Sequence, residues 1–349
     1  MRTVPTQRTP LPDDLGRPMS TLSRPRLRAS ALALALAGAL AACGGSSPTS
    51  PGAQSSGGAG SGSAAPAQKV SVDAAQFSWT AAALTNSILG EIAQRKPDLG
   101  VSGLKTTQLD PAAAWAGAGR GDVDLLTEVA LPNQQKFADS AKGKVKLVSE
   151  TYGGATQGWF VPKYVVDPGG PAAGLKSVTQ LNDFKQVFDG KFYDADPGYV
   201  TTQQNAKRLK GYGIDFEHVV AGEAAELAQL KRAYDRKQPI VLYLYHPHAV
   251  FAQYDMVQLE EPTPYTDGCL TTGNGACAMP AYSANIALSD ELGAKVPRFT
   301  SLLQQFRIPL QEMEAMQKQV DVDKKQVSAV AKGWVDSHGQ QVDQWTAAK

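Results

Sequence analysis

Residues 70–100 read VSVDAAQFSWTAAALTNSILGEIAQRKPDLG, and the hydrophobic period changes along them. Val70–Val72 starts a strand, and Thr80–Gln94 then carries Leu84, Ile88 and Ile92 at helical spacing before a turn at Lys96-Pro97-Asp98-Leu99-Gly100. Strand, amphipathic helix and turn in that order form the repeating unit of α/β architecture. The alternation continues with a helix over Pro111–Gly119, a turn into a strand over Gly121-Asp122-Val123-Asp124-Leu125-Leu126, and a strand at Gly158–Pro162. A Gly/Pro-rich loop through Gly174 follows and reads as a crossing between two lobes. Next come a short helix over Leu181–Phe188, a strand at Lys191–Tyr193, a helix over Tyr199–Tyr212 and a stronger helix over Glu223–Arg236. Pro239–Tyr245 is almost continuously apolar and aromatic, as expected of a strand covered on both faces. Ala284–Leu288 is a further strand, and Lys295–Gln304 opens a helical C-terminal region that ends in Trp345.

The chain has 349 residues, 42% hydrophobic and 19% charged, enough for one large bilobed unit or two modest domains. With 34 Lys+Arg against 33 Asp+Glu it carries no electrostatic footprint for nucleic acid or another polyanion. Neither Gly-x-Ser-x-Gly, His-Glu-x-x-His, a P-loop nor a dinucleotide glycine fingerprint occurs, so no enzymatic activity and no cofactor is expected.

Arg24, Arg26 and Arg28 precede an apolar run, Ala31–Ala42, that ends in Leu40-Ala41-Ala42-Cys43. The run is too short for a permanent span, and its basic flank and small terminal residues fit a removable secretory signal over residues 1–42, with Cys43 as the lipidated residue. Residues 43–69 are rich in Gly, Ser, Ala and Pro without apolar periodicity, which reads as a flexible tether with a reach of roughly 25 to 30 Å. The expected location is the extracytoplasmic face of the cell membrane, held by the lipid. Once Cys43 is set aside, Cys269 and Cys277 form the only internal pair, and an oxidising compartment favours their disulfide. Closing so short a loop stabilises by about 2.6 kcal/mol, which reads as a staple for a turn-rich surface loop.

Several segments, in order, resemble the glycine betaine, choline and carnitine type of substrate-binding proteins of ABC transporters. They are Trp79 after the first strand, Gly121-Asp122-Val123-Asp124, Glu128-Val129-Ala130-Leu131-Pro132 and Gly154-Ala155-Thr156-Gln157-Gly158-Trp159-Phe160-Val161-Pro162. Further on come Asp196-Pro197-Gly198-Tyr199, Tyr243-Leu244-Tyr245-His246-Pro247-His248, Gly333-Trp334-Val335 and Gln344-Trp345. The resemblance runs from about Val70 to Lys349. It implies a periplasmic-binding-protein fold: two α/β lobes joined by hinge strands, with a small cationic or zwitterionic solute between them and a transporter permease as partner. Lobe 1 is placed at 70–161 plus 262–349 and lobe 2 at 162–261. A quaternary ammonium cannot donate hydrogen bonds, so aromatic faces and a nearby carboxylate must hold it, each ring contributing about 0.5 to 2 kcal/mol.

By the same resemblance, Tyr199 and Tyr245 fall on cage positions, Trp79 lies near the lobe interface, and Gly198 belongs to the Pro-Gly turn before Tyr199. The amides of Val200 and Thr201, at a helix N-terminus, are expected donors to a ligand carboxylate. Glu128 and Asp196 are candidate cleft carboxylates, Asp196 equally an ordinary turn or N-cap residue. His246 is read as a hydrogen-bond donor in the cleft. It and His248 flank Pro247, but no third ligand stands at metal spacing and no metal is expected. Trp159 reads as core, and Trp115, Trp334 and Trp345 as packing residues. Three departures stand out: Ala130 replaces the Trp of a Val-Trp-x-Pro segment, Gln134 sits where one branch places a histidine for the carboxylate, and Val200-Thr201-Thr202 replaces a cysteine motif. Ala130 motivates a second reading, a sensor or scaffold lipoprotein of the same fold that binds a different solute. The paired histidines motivate a third, a hydrolase.

Overall fold

The computed structural model describes residues 69–347. The signal segment, Cys43 and the tether up to residue 68 lie outside the described residues.

Two five-stranded mixed sheets form the frame. In the first, β1 (Val70–Gln76) lies between β2 (Val101–Gln108) and β3 (Leu125–Leu131), parallel to both. Strand β10 (Tyr282–Ser289) runs antiparallel between β3 and β4 (Val145–Ala155). The second sheet repeats the plan. β6 (Lys191–Asp194) lies parallel to β7 (Glu217–Val220) and β8 (Leu242–Tyr245), and β5 (Gln157–Pro162) runs antiparallel between β8 and β9 (Met256–Gln258).

Each sheet is covered on both faces, which explains strands with little alternation such as β5, buried throughout. One face of the first sheet packs on α1 (Thr80–Arg95), α8 (Pro297–Gln305), α9 (Leu310–Asp321), α10 (Val327–Ser337) and α11 (Gly339–Ala347), the other on α2 (Pro111–Arg120). Short α3 (Gln135–Ser140), α4 (Lys163–Val166) and α7 (Asp290–Lys295) fill connections, while α5 (Val200–Gly211) and α6 (Glu223–Asp235) cover the second sheet. Helix α1 buries Leu84, Ile88 and Ile92 as their spacing requires. The helix expected over Lys295–Gln304 is instead two helices broken at Val296, where Pro297 pushes the preceding residue out of helical geometry.

The second lobe takes in more of the chain at both ends than expected. Strand β5 belongs to the second sheet, so the first crossing is at Thr156 rather than after Val161, and the Gly/Pro loop through Gly174 lies within the second lobe. The return crossing comes at Pro280 rather than Glu261, because Leu270, Cys277 and Met279 pack into the second core. The two crossings are tied together: Gln157 Nε2 donates to the Pro280 carbonyl at 2.8 Å, and the Tyr282 hydroxyl donates to the His246 carbonyl at 2.8 Å. Cys269 and Cys277 are joined as a disulfide in that returning loop.

The second core holds a buried polar cluster. The Arg208 guanidinium stacks on Trp159, 4.4 Å from the ring centroid, and pairs with Glu261. The Trp159 Nε1–H donates to Asn205 Oδ1 at 2.8 Å. Trp159 is thus a core residue, wholly buried.

Candidate functional site

A cavity between the two sheets is lined from the first lobe by Trp79, Ala81, Pro111, Glu128, Ala130, Asn133, Gln134, Tyr152 and Tyr282. Gln157, Tyr199, Val200, Thr201, Tyr243, Tyr245 and Pro247 close it from the second. Six of these residues are aromatic, and none is Lys, Arg or His.

Local sequence explains how the rings arrive there. Trp79 follows β1 as the N-cap residue of α1 and stacks on Phe77 with centroids 4.5 Å apart. Tyr199 is the N-cap residue of α5, set by the Asp196-Pro197-Gly198 turn, and meets Trp79 edge-on at 5.3 Å. Tyr245 ends β8, where a cis His246-Pro247 bond turns the chain.

The Tyr199 and Tyr245 phenols are both held by one carboxylate. Glu223, the first residue of α6, accepts from the Tyr199 hydroxyl at 2.8 Å and the Tyr245 hydroxyl at 2.9 Å on the same oxygen, Oε2. With the Tyr199 proton committed to Glu223, Ser78 Oγ is the donor in its 2.9 Å contact with Tyr199. His248 Nδ1 accepts from the Val250 amide, so Nε2 carries the proton and donates to Glu223 Oε1 at 3.1 Å. Burial pushes the Glu223 pKa up, but His248 and the two phenols outweigh it and hold it below the ordinary carboxylate value. Burial pushes the Tyr199 and Tyr245 hydroxyls well above the usual phenol range, so both remain donors.

Glu128 presents a second carboxylate, buried in the cavity wall itself. Its backbone sits at φ 59°, in the left-handed region, within β3 and opposite an irregularity in the pairing with β10. Its oxygens accept from Thr85 Oγ1 at 3.0 Å and from the Tyr152 hydroxyl. Burial pushes its pKa up to about 7, partly offset by those two hydroxyls.

Of the residues expected at the site, Trp79, Tyr199, Tyr245, Val200 and Gln134 line the cavity. Val200 and Thr201 are the first two residues of α5, whose leading amides have no intrahelical partner and face the cavity end of the helix. Gln134 is fixed by Trp115, whose Nε1–H donates to Gln134 Oε1 at 2.8 Å, so Trp115 orients a cavity residue rather than serving packing alone.

Three of the expected residues lie away from the cavity lining. His246 is not in the cavity lining: its ring stacks on Phe251 at 3.7 Å and pairs through Nδ1 with Glu314 Oε1 of α9 at 2.9 Å, linking the lobes outside the cavity. Asp196 lies on an outer groove, where its carboxylate accepts from the Gly198 amide at 2.9 Å and its carbonyl accepts from Thr202 Oγ1 at 2.7 Å; it builds the turn and does not line the cavity. Gly198 is a point of contact between lobes, since a Cβ there would lie 2.9 Å from Asp110 Cβ. Among the described residues, no group of three or more His, Cys, Asp or Glu is placed to hold a metal ion.

Sequence reasoning passed over Glu223, Tyr152, Tyr243, Tyr282, Asn133 and Gln157. Glu223 has only a generic signal, an acid at a helix start. The tyrosines come from strands that converge only when both sheets are built.

Residues 70–337 match the family described as the substrate binding domain of ABC-type glycine betaine transport systems. The chain belongs to this family. It is the solute-binding component of an ABC transport system, and solved structures share its fold. A choline-binding protein of an ABC transporter, in complex with choline, aligns with TM-score 0.66 and 20% identity over 79% of this chain and 91% of that one. Lactococcal OpuAC, closed around glycine betaine, aligns with TM-score 0.66 and 24% identity over 79% and 99%. The glycine betaine/L-proline-binding protein of Borrelia burgdorferi aligns with TM-score 0.66 and 18% identity over 79% and 96%. The binding protein thus has the α/β class that its strand and helix pattern predicts and the two-lobed fold that the resemblance implies.

Proposed function

We propose that this protein binds a small quaternary-ammonium solute, of the glycine betaine or choline kind, between its lobes and delivers it to a membrane permease without acting on it chemically. The observation that carries the reading is the cavity lining: six aromatic residues, one buried carboxylate and no basic side chain. Such a site offers an anion without a cationic end no basic partner and rewards a weakly hydrated cation, which aromatic faces hold at about 0.5 to 2 kcal/mol per ring. Ala130 leaves one wall without a ring, and Tyr152 and Tyr282 supply aromatic surface beside it. The amides of Val200 and Thr201 suit the carboxylate of a betaine. Export through residues 1–42, lipidation at Cys43 and a tether over 43–69 suit a domain that must collect solute and still reach its permease.

Titration calorimetry of the whole chain with glycine betaine, choline, carnitine and proline betaine tests this. The expected result is micromolar binding of at least one of them, weakened tenfold or more by Tyr245→Ala or Tyr199→Ala. No heat from any of the four would sink the reading.

A further inference from the structure

The cavity wall contains a carboxylate with no cation to answer it. Glu128 is 2% exposed, and both oxygens accept only from neutral hydroxyls, Thr85 and Tyr152. A buried carboxylate without a positive partner is held protonated at a pH where an exposed one would be ionised. Its backbone adopts a left-handed conformation inside a strand, a geometry costly for a side chain that merely fills space and common where a group must be aimed.

Strands β4 and β10, helix α1 and the second lobe surround it. Strand β4 offers the Tyr152 hydroxyl and β10 that of Tyr282; α1 offers Thr85, which does not titrate. The second lobe faces it with Tyr199, Tyr243 and Tyr245, all held neutral by burial. Glu223, the other carboxylate near the site and only partly buried, lies behind the phenols of Tyr199 and Tyr245 and already has His248 as its partner.

Resting on the reading that the solute is cationic, we propose that Glu128 is the counter-charge of the bound ammonium and that cation binding expels its proton to solvent. No covalent bond forms: the O–H bond of the carboxylic acid breaks, the proton leaves to water, and the carboxylate remains, hydrogen-bonded by Tyr152 and Thr85. Burial places the Glu128 pKa at about 7, so the free site is mixed at neutral pH and the occupied site is ionised. Linkage then makes affinity for a cation weaken about tenfold between pH 8 and pH 6, with about half a proton released per ligand at pH 7. An uncharged ligand of the same shape has no reason to displace that proton.

The experiment is calorimetric titration of the whole chain with choline at pH 6, 7 and 8, at pH 7 in two buffers of different protonation enthalpy, alongside the neutral isostere 3,3-dimethylbutan-1-ol. The expected result is a tenfold pH effect and proton release with choline, neither with the isostere, and a flat pH profile for choline in Glu128→Gln. Tyr152→Phe, which keeps the ring but removes a donor to the ionised form, should move the midpoint to higher pH and serves even where Glu128→Gln folds poorly. Choline binding that is pH-independent in the wild type, or whose pH slope persists in Glu128→Gln, overturns the role of Glu128 and leaves the aromatic cage standing. Absence of binding by choline, glycine betaine, carnitine and proline betaine at every pH overturns both.

Discussion

Gly198→Ala separates lobe closure from folding. Alanine is conformationally admissible at this position, because Gly198 is not among the glycines with positive φ. The added methyl would lie 2.9 Å from Asp110 Cβ, where carbon atoms rest at about 3.5 to 4.0 Å. Asp110 cannot rotate away, since the contact is with its Cβ and its carboxylate caps α2 through the Ala113 amide at 2.8 Å. The overlap is relieved by holding the second lobe back from the first. Overpacking of this kind costs about 1 to 3 kcal/mol, or about 5- to 150-fold in affinity if it acts only on the closed, occupied form. Once its lobes part about the hinge, the ligand-free chain should unfold near the wild-type midpoint, because alanine's narrowing of the unfolded ensemble offsets the 3.3 Å approach of its methyl to Asp196 Oδ1 within the turn. Calorimetric titration reads the first effect and thermal unfolding the second. Wild-type affinity in the variant, or a ligand-free chain destabilised by as much as binding is weakened, would refute the argument that this contact belongs to closure.

Glu223 and Glu128 should shift the pH dependence of stability in opposite directions. Glu223 has its pKa depressed in the folded state, so it contributes stability above the unfolded carboxylate pKa that is lost as pH falls through the folded value. Glu223→Gln should therefore destabilise by about 1 to 3 kcal/mol at pH 7 in denaturant unfolding, with the difference shrinking in acid. A difference that stays constant with pH would show that the charge of Glu223 is not what the phenols and His248 require. Glu128 has its pKa raised to about 7, so its contribution is complete below the unfolded pKa and disappears as pH rises through 7. In the ligand-free chain, Glu128→Gln should be more stable relative to wild type at pH 8 than at pH 5, and the reverse order would contradict the burial argument. Replacing Cys269 and Cys277 together by serine should cost about 2.6 kcal/mol of unfolding free energy with solute affinity unchanged, because the loop they close lies outside the cavity. A loss of affinity would place that loop in the binding cycle.

The sequence by itself determined the α/β class and most of the elements, because period and punctuation act locally: Leu84, Ile88 and Ile92 fix α1, and Asp110-Pro111 with Gly121 bracket α2. It missed β2, whose side chains are mostly exposed and carry no alternation, β4, eleven residues long with an irregular burial pattern, and the short β7 and β9, none of whose residues is fully buried. It identified Tyr199, Tyr245 and Trp79 through motif resemblance, since a ring after Pro-Gly or before a Pro-flanked histidine is a local mark. Only the tertiary structure decided that Tyr199 and Tyr245 share one carboxylate of Glu223, that His246 turns toward Glu314 and away from the cage, and that Gly198 meets Asp110. Those pairs are separated by 22 to 88 residues, as with Tyr245–Glu223 and Gly198–Asp110. The energies that fix them are hydrogen bonds and steric contacts across lobes and loops, which leave no periodic trace along the chain. Ala130 shows the same limit from the other side, because a missing ring is visible in the sequence while the rings beside it, Tyr152 and Tyr282, are neighbours only across the sheet.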